Sequence, residues 1–291
     1  MPPSKPSPRR LGREALRTWY APRRSAYLWR GSRDPYAVLV SEVMLQQTQA
    51  SRVVPAFRSF LRRFPTVRAL AAAPRPEVVR EWGGLGYNRR AVRLSEAARE
   101  IVRDHGGRIP REPATLRELP GVGPYTAAAV ASLGFGDPVA AVDTNVRRVV
   151  ARVHLGVDAH EVAARQVSAL ADAWLDRHDP ITWNQAVMDL GREVCRPKPR
   201  CDACPLARVC RFRRSRAVAR PSPRKQGPFE GSSRQVRGAV VRALRSHPSL
   251  TRTRLSAEIG FPRERVDGAL DALVHDGLLE FDGERVRLAG S

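Results

Sequence analysis

Two carboxylates and four thiols are the residues of this chain best placed to do chemistry. Glu42 lies in SEVMLQQTQ, where the pattern predicts one helix over about 36–51 with Val38, Leu39 and Leu45 at the i−4, i−3 and i+3 positions. A carboxyl on an apolar stripe loses hydration, so its pKa rises and it keeps its proton toward neutral pH. That is the state a general acid needs. A surface glutamate at the edge of the stripe, or one paired with an arginine, is the alternative. Asp143, in AVDTNVRRV, directly precedes a second predicted helix. It can serve as the N-cap, where the helix dipole favours the ionised form.

Cys195, Cys201, Cys204 and Cys210 are the only cysteines, spaced Cys-x5-Cys-x2-Cys-x5-Cys. In a reducing compartment such crowding argues for metal rather than disulfides. Four thiolates suit Zn(II) as well as an iron-sulfur cluster.

The elements that must position these groups centre on LPGVGPYTAAAVASLGFGDPVAAVDTNVRR, residues 119–148. In Pro120-Gly121-Val122-Gly123-Pro124 the two glycines permit positive φ and clear side chains from the loop, so another backbone can approach. A helix from Tyr125 to about Leu133 would direct its unpaired amides outward, as an anion site. The formal charge of +22, from 51 Lys and Arg against 29 Asp and Glu, favours a polyanionic partner. No run is apolar for long enough to span a membrane. The N-terminal MPPSKPSPRR lacks the apolar core of a secretion signal, so an intracellular, cytoplasmic protein is expected.

Taken together, LPGVGPYTAAAVAS and AVDTNVRRV resemble the helix-hairpin-helix and catalytic-aspartate signature of base-excision DNA glycosylases, the superfamily of endonuclease III. With SEVMLQQTQ and the four cysteines the chain resembles the adenine-DNA glycosylase (MutY) branch over roughly residues 29–210. The resemblance implies a mainly all-α, two-lobed fold with a 4Fe-4S cluster on the four cysteines, whose first spacing is one residue shorter than the family's usual six. It also implies the partner, double-stranded DNA containing a mispaired adenine, bound by a monomer.

By the same resemblance Glu42 would protonate N7 of an extruded adenine, and Asp143 would stabilise the positive charge that develops on the sugar. Glycoside hydrolysis divides its labour similarly between a neutral and a charged carboxyl. Tyr125 stands where bifunctional relatives carry a Schiff-base lysine, so a monofunctional enzyme is implied; Tyr125 and Asn145 would pack around Asp143. Trp29 and Arg30 would lie near the base pocket, Gln46 and Gln47 would insert beside the lesion, and Tyr87 would be the wedge. Gly121 and Gly123 would face phosphate. A thymine or uracil glycosylase acting at G:T or G:U mismatches is the rival reading, and a noncatalytic DNA-binding regulator a more distant one.

The chain divides on these grounds into a disordered basic arm (1–12), a glycosylase domain (13–210), a basic linker (211–233) and a small module (234–291). In the linker, RFRRSRAVARPSPRK reads as flexible and phosphate-seeking. The module has helical patterns at 234–246, 251–259 and 263–276, then LLEF-DG-ERVRL, a hairpin whose Asp282-Gly283 favours a tight turn. Three helices and a wing suggest a winged-helix module. Its candidate recognition helix sets Arg263 and Arg265 against Glu264, Asp267, Asp271 and Asp276, so docking on the catalytic domain or a protein partner is expected. Nothing in these residues resembles the 8-oxoguanine-reading domain usual in the branch.

Overall fold

The computed structural model describes residues 8–23, 27–220 and 227–290. It is mainly helical, and two compact units share the chain. One comprises the described residues of Met1–Glu42, Arg111–Arg117 and Val122–Arg224; the other those of Val43–Pro110, Glu118–Gly121 and Lys225–Ser291.

In the first unit α1 (Pro8–Tyr20) packs on α11 (Pro180–Glu193), and both α11 and α10 (Ala164–Trp174) pack on α9 (Thr144–Val150). The expected disordered arm is therefore helical from Pro8 onward, while residues 1–7 lie outside the described ones. The predicted helix at 36–51 is two: α2 (Pro35–Leu45) and α3 (Ala50–Arg63), parted where Gln47 takes φ +53°. Nor does α2 carry a one-sided stripe. Ala37 through Met44 are all buried, Ser41 and Glu42 included, so α2 is a central helix enclosed all round.

The hairpin follows α7 (Pro113–Leu116) and leads into α8 (Pro124–Ala129), which continues as a π-helical turn, Val130–Gly134. Only Gly121 of its two glycines has positive φ, +80°, and a Cβ there would meet Arg93 Cβ at 2.8 Å. Gly123 instead caps α8 at φ −90° with open space around it, so its value lies in a bare loop surface.

After the π turn the chain runs extended to Asp143. Asn184 of α11, fully buried, fixes that run. Its Oδ1 accepts from Ala141 N–H at 2.8 Å, and its Nδ2 donates to the carbonyls of Val139 (2.9 Å) and Pro180 (3.0 Å) and to Ser132 Oγ (2.8 Å). Gly191 lets α11 close on α9, since a Cβ would stand 2.7 Å from Asn145 Cβ.

The linker is not wholly flexible. Arg211–Arg214 form a helical turn, α12, because Phe212 is buried beneath the Arg152 guanidinium, 4.9 Å from its ring centroid. Residues 221–226 lie outside the described ones.

In the second unit α4 (Val67–Ala72) and α5 (Arg75–Glu81) pack on α6 (Arg89–Asp104). The C-terminal module has α13 (Ser233–Ser246), β1 (Leu250–Thr251), α14 (Arg252–Ile259) and α15 (Arg263–His275), and its described strands form a sheet in which the third strand lies between the first two. Strands β2 (Leu279–Asp282) and β3 (Arg285–Leu288) pair antiparallel with Asp282 opposite Arg285. The two-residue turn is thus Gly283-Glu284 rather than Asp282-Gly283, with Gly283 at φ +59° taking the first position. The module docks on the same unit. Arg89 pairs with Asp276 at 3.1 Å, and Arg75 Nη1 donates to the Gly277 carbonyl at 3.2 Å.

Candidate active site

Glu42 sits on the last full turn of α2 with 4% of its surface exposed. Tyr125, first-turn residue of α8, donates its hydroxyl hydrogen to Glu42 Oε2 at 2.6 Å and also approaches Met188 Sδ at 3.8 Å. Burial raises the Glu42 pKa; the Tyr125 hydrogen bond and the Arg30 charge act against it, and the Asp143 charge adds to it. A buried carboxyl with one donor and a like charge nearby keeps its proton above the usual carboxylate range. Tyr125, in the field of both carboxylates and desolvated, is raised far above its ordinary value and stays a neutral donor.

Asp143 is the N-cap of α9, as its position before the helix suggested. Its Oδ1 accepts from Val146 N–H at 2.6 Å and its Oδ2 from Asn145 Nδ2 at 2.9 Å. Burial nonetheless raises its pKa, where the capping position alone led us to expect an acid held firmly ionised; the Val146 and Asn145 donors and the Arg148 charge oppose the rise. The two carboxyls differ in what surrounds them. Asp143 has a helix N-terminus, an amide and a guanidinium to carry a negative charge, whereas Glu42 has a phenol and the charge of Arg30, which is itself engaged by Asp189. When the pair holds one proton, Glu42 keeps it.

Arg30 lies in the short helical turn Leu28–Gly31 and bonds Asp189 Oδ1 of α11 at 2.6 Å. Its buried Nε has no partner among the described residues. Trp29 is buried, stacked on Tyr27 with centroids 5.1 Å apart, and so packs rather than lining open space.

A second set runs from Asp143 through Asn145, which the sequence resemblance places beside it, toward the cysteines, and its two arginines were not read from the sequence. Asn145 Oδ1 accepts from Arg148 Nη2 at 2.8 Å, and the same guanidinium reaches the carbonyls of Gly191 (2.7 Å) and Cys195 (2.6 Å). One turn on, buried Arg152 approaches Cys195 Sγ at 3.7 Å, bonds the Arg196 and Pro197 carbonyls and pairs with Asp158. The i, i+4 spacing of Arg148 and Arg152 was the available signal, lost among the chain's many arginines.

The four cysteines line one pocket, walled by Val149, Val153, Leu190 and Phe212. Burial raises the Cys195 and Cys210 thiols and pushes Cys204 up to about 12, so a metal must displace their protons to bind. Among the described residues no three His, Cys, Asp or Glu close on a point as a single ion requires. Four thiols at one pocket form a donor set that suits Zn(II) as well as an iron-sulfur cluster.

The remaining predicted residues lie in the second unit. Gln46 and Gln47 follow α2. Tyr87, with φ +48° and 43% exposed, is no core tyrosine. Arg90 ties both loops together: Nη1 donates to the carbonyls of Val43 (2.8 Å), Met44 (2.9 Å) and Gln46 (2.5 Å), and Nη2 to Thr48 Oγ1 (3.0 Å) and Gly86 O (3.1 Å). Its guanidinium lies over the rings of Trp82 and Tyr87. Burial lowers its pKa to about 10, which leaves it charged.

Residues 40–173 match the HhH-GPD superfamily base excision DNA repair proteins. The adenine DNA glycosylase of Mycolicibacterium smegmatis is 42% identical over 281 residues, covering 94% of this chain and 95% of that protein. The chain belongs to the adenine DNA glycosylase family. The Homo sapiens adenine DNA glycosylase is also 42% identical, over 69% of this chain and 39% of its own length. Among solved structures, a thermostable thymine-DNA glycosylase superposes with a TM-score of 0.66 at 31% identity, covering 72% of this chain and 97% of that one. The helix-hairpin-helix glycosylase fold expected from the sequence is thus the fold found. No helix among the described residues is long and apolar enough to cross a membrane.

Proposed function

We propose that this adenine DNA glycosylase excises adenine mispaired with 8-oxoguanine or guanine in double-stranded DNA, hydrolysing the N-glycosidic bond without a lyase step. The observation that carries the reading is the 2.6 Å hydrogen bond from Tyr125 to a buried Glu42 that also feels the charge of Asp143. Adenine leaves poorly as an anion, and a neutral carboxyl can protonate it at N7. The C1′–N9 bond then breaks with its electron pair going to N9, and adenine departs neutral. Asp143 offsets the positive charge left on deoxyribose. Water adds at C1′, and the proton it releases replaces the one given by Glu42. Base release therefore consumes one water and leaves an abasic site.

Arg30 supports a base pocket here, because its buried Nε remains available to an acceptor on the base. Tyr125 in place of lysine leaves no amine at that position to form a Schiff base, which supports a monofunctional enzyme. Cys195, Cys201, Cys204 and Cys210 would hold a 4Fe-4S cluster, whose chemistry there is structural support of the loop. Gly121, Gly123 and the basic surface would meet phosphate, while Gln46, Gln47 and Tyr87 would enter the duplex.

Likeness to a thymine-DNA glycosylase keeps a mismatch thymine or uracil activity as the second reading. Incubation with duplexes carrying A:8-oxoguanine, A:G, G:T and G:U, scored for abasic sites, tests both. Sites only at adenine are expected. Cleavage confined to G:T and G:U overturns the adenine reading.

A further inference from the structure

Helix α1 ends on Tyr20, which has none of its surface exposed. One turn earlier Leu16 is buried too, so the apolar face of α1 explains why the ring is inside. It does not explain the hydroxyl, whose burial costs free energy unless it is bonded. Tyr20 Oη lies 3.1 Å from Gln185 Oε1 of α11, and Gln185 is itself only 2% exposed. The other end of that amide, Nε2, lies 3.4 Å from the Arg30 carbonyl.

One arrangement of protons satisfies these three groups. A carbonyl can only accept, so Gln185 must turn Nε2 toward Arg30 and Oε1 toward Tyr20, and the phenol must then donate. The chain of bonds therefore runs from α1 through α11 to the backbone of Arg30.

One turn along α11, Asp189 takes the Arg30 guanidinium at 2.6 Å. Arg192 meets the same carboxylate at 3.2 Å from its place over the Tyr27 ring. Gln185 and Asp189, four residues apart on one helix face, thus hold Arg30 at both backbone and side chain. Such a grip is needed because Leu28–Gly31 is a turn of four residues, too short to be fixed by its own hydrogen bonds. Where it is held bears on Glu42. Burial raises the Glu42 pKa, Tyr125 of α8 and the Arg30 charge oppose the rise, and Asp143 at the head of α9 adds to it.

Resting on the reading of Glu42 as the acid, we propose that Tyr20 is a positioning residue for adenine excision. Its hydroxyl sets the Gln185 amide, and the amide holds the Arg30 turn where the guanidinium acts on Glu42. Tyr20→Phe removes one oxygen and keeps the ring that fills the space, so Gln185 Oε1 stays buried without this donor and the turn is held at the side chain only.

The test compares full-length wild type, Tyr20→Phe, Gln185→Met and the double variant. Single-turnover release of adenine from an A:G duplex is followed over a range of pH, with duplex affinity by fluorescence anisotropy and thermal melts alongside. Tyr20→Phe should slow release roughly tenfold at unchanged affinity, within the cost of a small misplacement near the chemistry. The alkaline limb of its profile should move to higher pH, because the charge that favours ionised Glu42 recedes. Gln185→Met should reproduce both effects, and the double variant should be no slower than the slower single one, since both act through one contact. Should Tyr20→Phe melt far below the wild type, Gln185→Met carries the same comparison. Unchanged release, a limb that stays where the wild type has it, or slowing that multiplies in the double variant overturns the proposal. A wild type with no alkaline limb, combined with a double variant still no slower than the singles, sinks the reading of Glu42 alone.

Discussion

The division of labour between Glu42 and Asp143 is set by a handful of atoms, and single substitutions should move it in opposite directions. Glu42→Gln cannot donate a proton, so single-turnover adenine release should fall by at least about a hundredfold while duplex affinity is kept. Asp143→Asn should do likewise. Because the folded Glu42 pKa is raised, the folded protein holds a proton that the unfolded chain gives up near 4.5. Its stability contribution is complete below that value and is lost as pH rises through the folded pKa. Glu42→Gln should therefore gain melting temperature relative to wild type at pH 8 but not at pH 4. The release rate should likewise decline on the alkaline side, as the acid ionises. Tyr125→Phe removes a bond that favours the carboxylate, so the alkaline limb should move to higher pH. Asp189→Asn removes the partner that shields Arg30, freeing the guanidinium to favour ionised Glu42, so the same limb should move to lower pH. If both variants shifted the profile the same way, this account of the proton would be wrong.

At the scale of elements, two helices are fastened by arginines. Arg148 of α9 holds Asn145, the end of α11 and the backbone of Cys195 together. Arg148→Ala leaves these buried acceptors without their donor and should cost about 3 kcal/mol. It should also slow adenine release, because Asn145 loses the contact that orients it toward Asp143. Arg148→Lys should not rescue it, since an ammonium cannot reproduce the planar fork. Thermal melting with the visible absorbance per protein, alongside single-turnover rates, checks both effects. The candidate site residues were legible in the sequence because their neighbours are diagnostic: SEVMLQQTQ, the glycine hairpin and the cysteine spacing each suggest a role. The residues that hold them were not. Arg90, Arg148 and Arg152 are unremarkable members of a set of 51 basic residues until the fold brings carbonyls around each one. Asn184 reads as one polar position on α11, and its four hydrogen bonds reach as far back as Ser132. The break after α2 escaped as well, because QQTQASRV has neither Gly nor Pro and the turn is held by Arg90 from the start of α6. Aspartate at the head of α9 was readable as a cap, yet burial, which local sequence does not reveal, raises its pKa.

Over the whole molecule, affinity and discrimination should separate, because charge acts on any duplex whereas contacts to base edges act on particular sequences. A formal charge of +22 implies binding driven largely by counterion release, with steep salt dependence. Arg214 and Arg216 are exposed and belong to the basic stretch after the cysteines. Replacing both by Ala should lower the slope of log K against log salt by up to about 2, one phosphate contact per residue. The loss should be equal for A:8-oxoguanine, A:G and fully paired duplexes, since phosphates carry no sequence information. Removing residues 232–291 should instead leave most of the salt slope, because α15 with its C-cap sets four acids against two arginines. Titrations at several salt concentrations measure slope and discrimination in one experiment. Equal damage to both by either change would mean that the linker and the module do one job, and that the basic stretch helps to read the lesion.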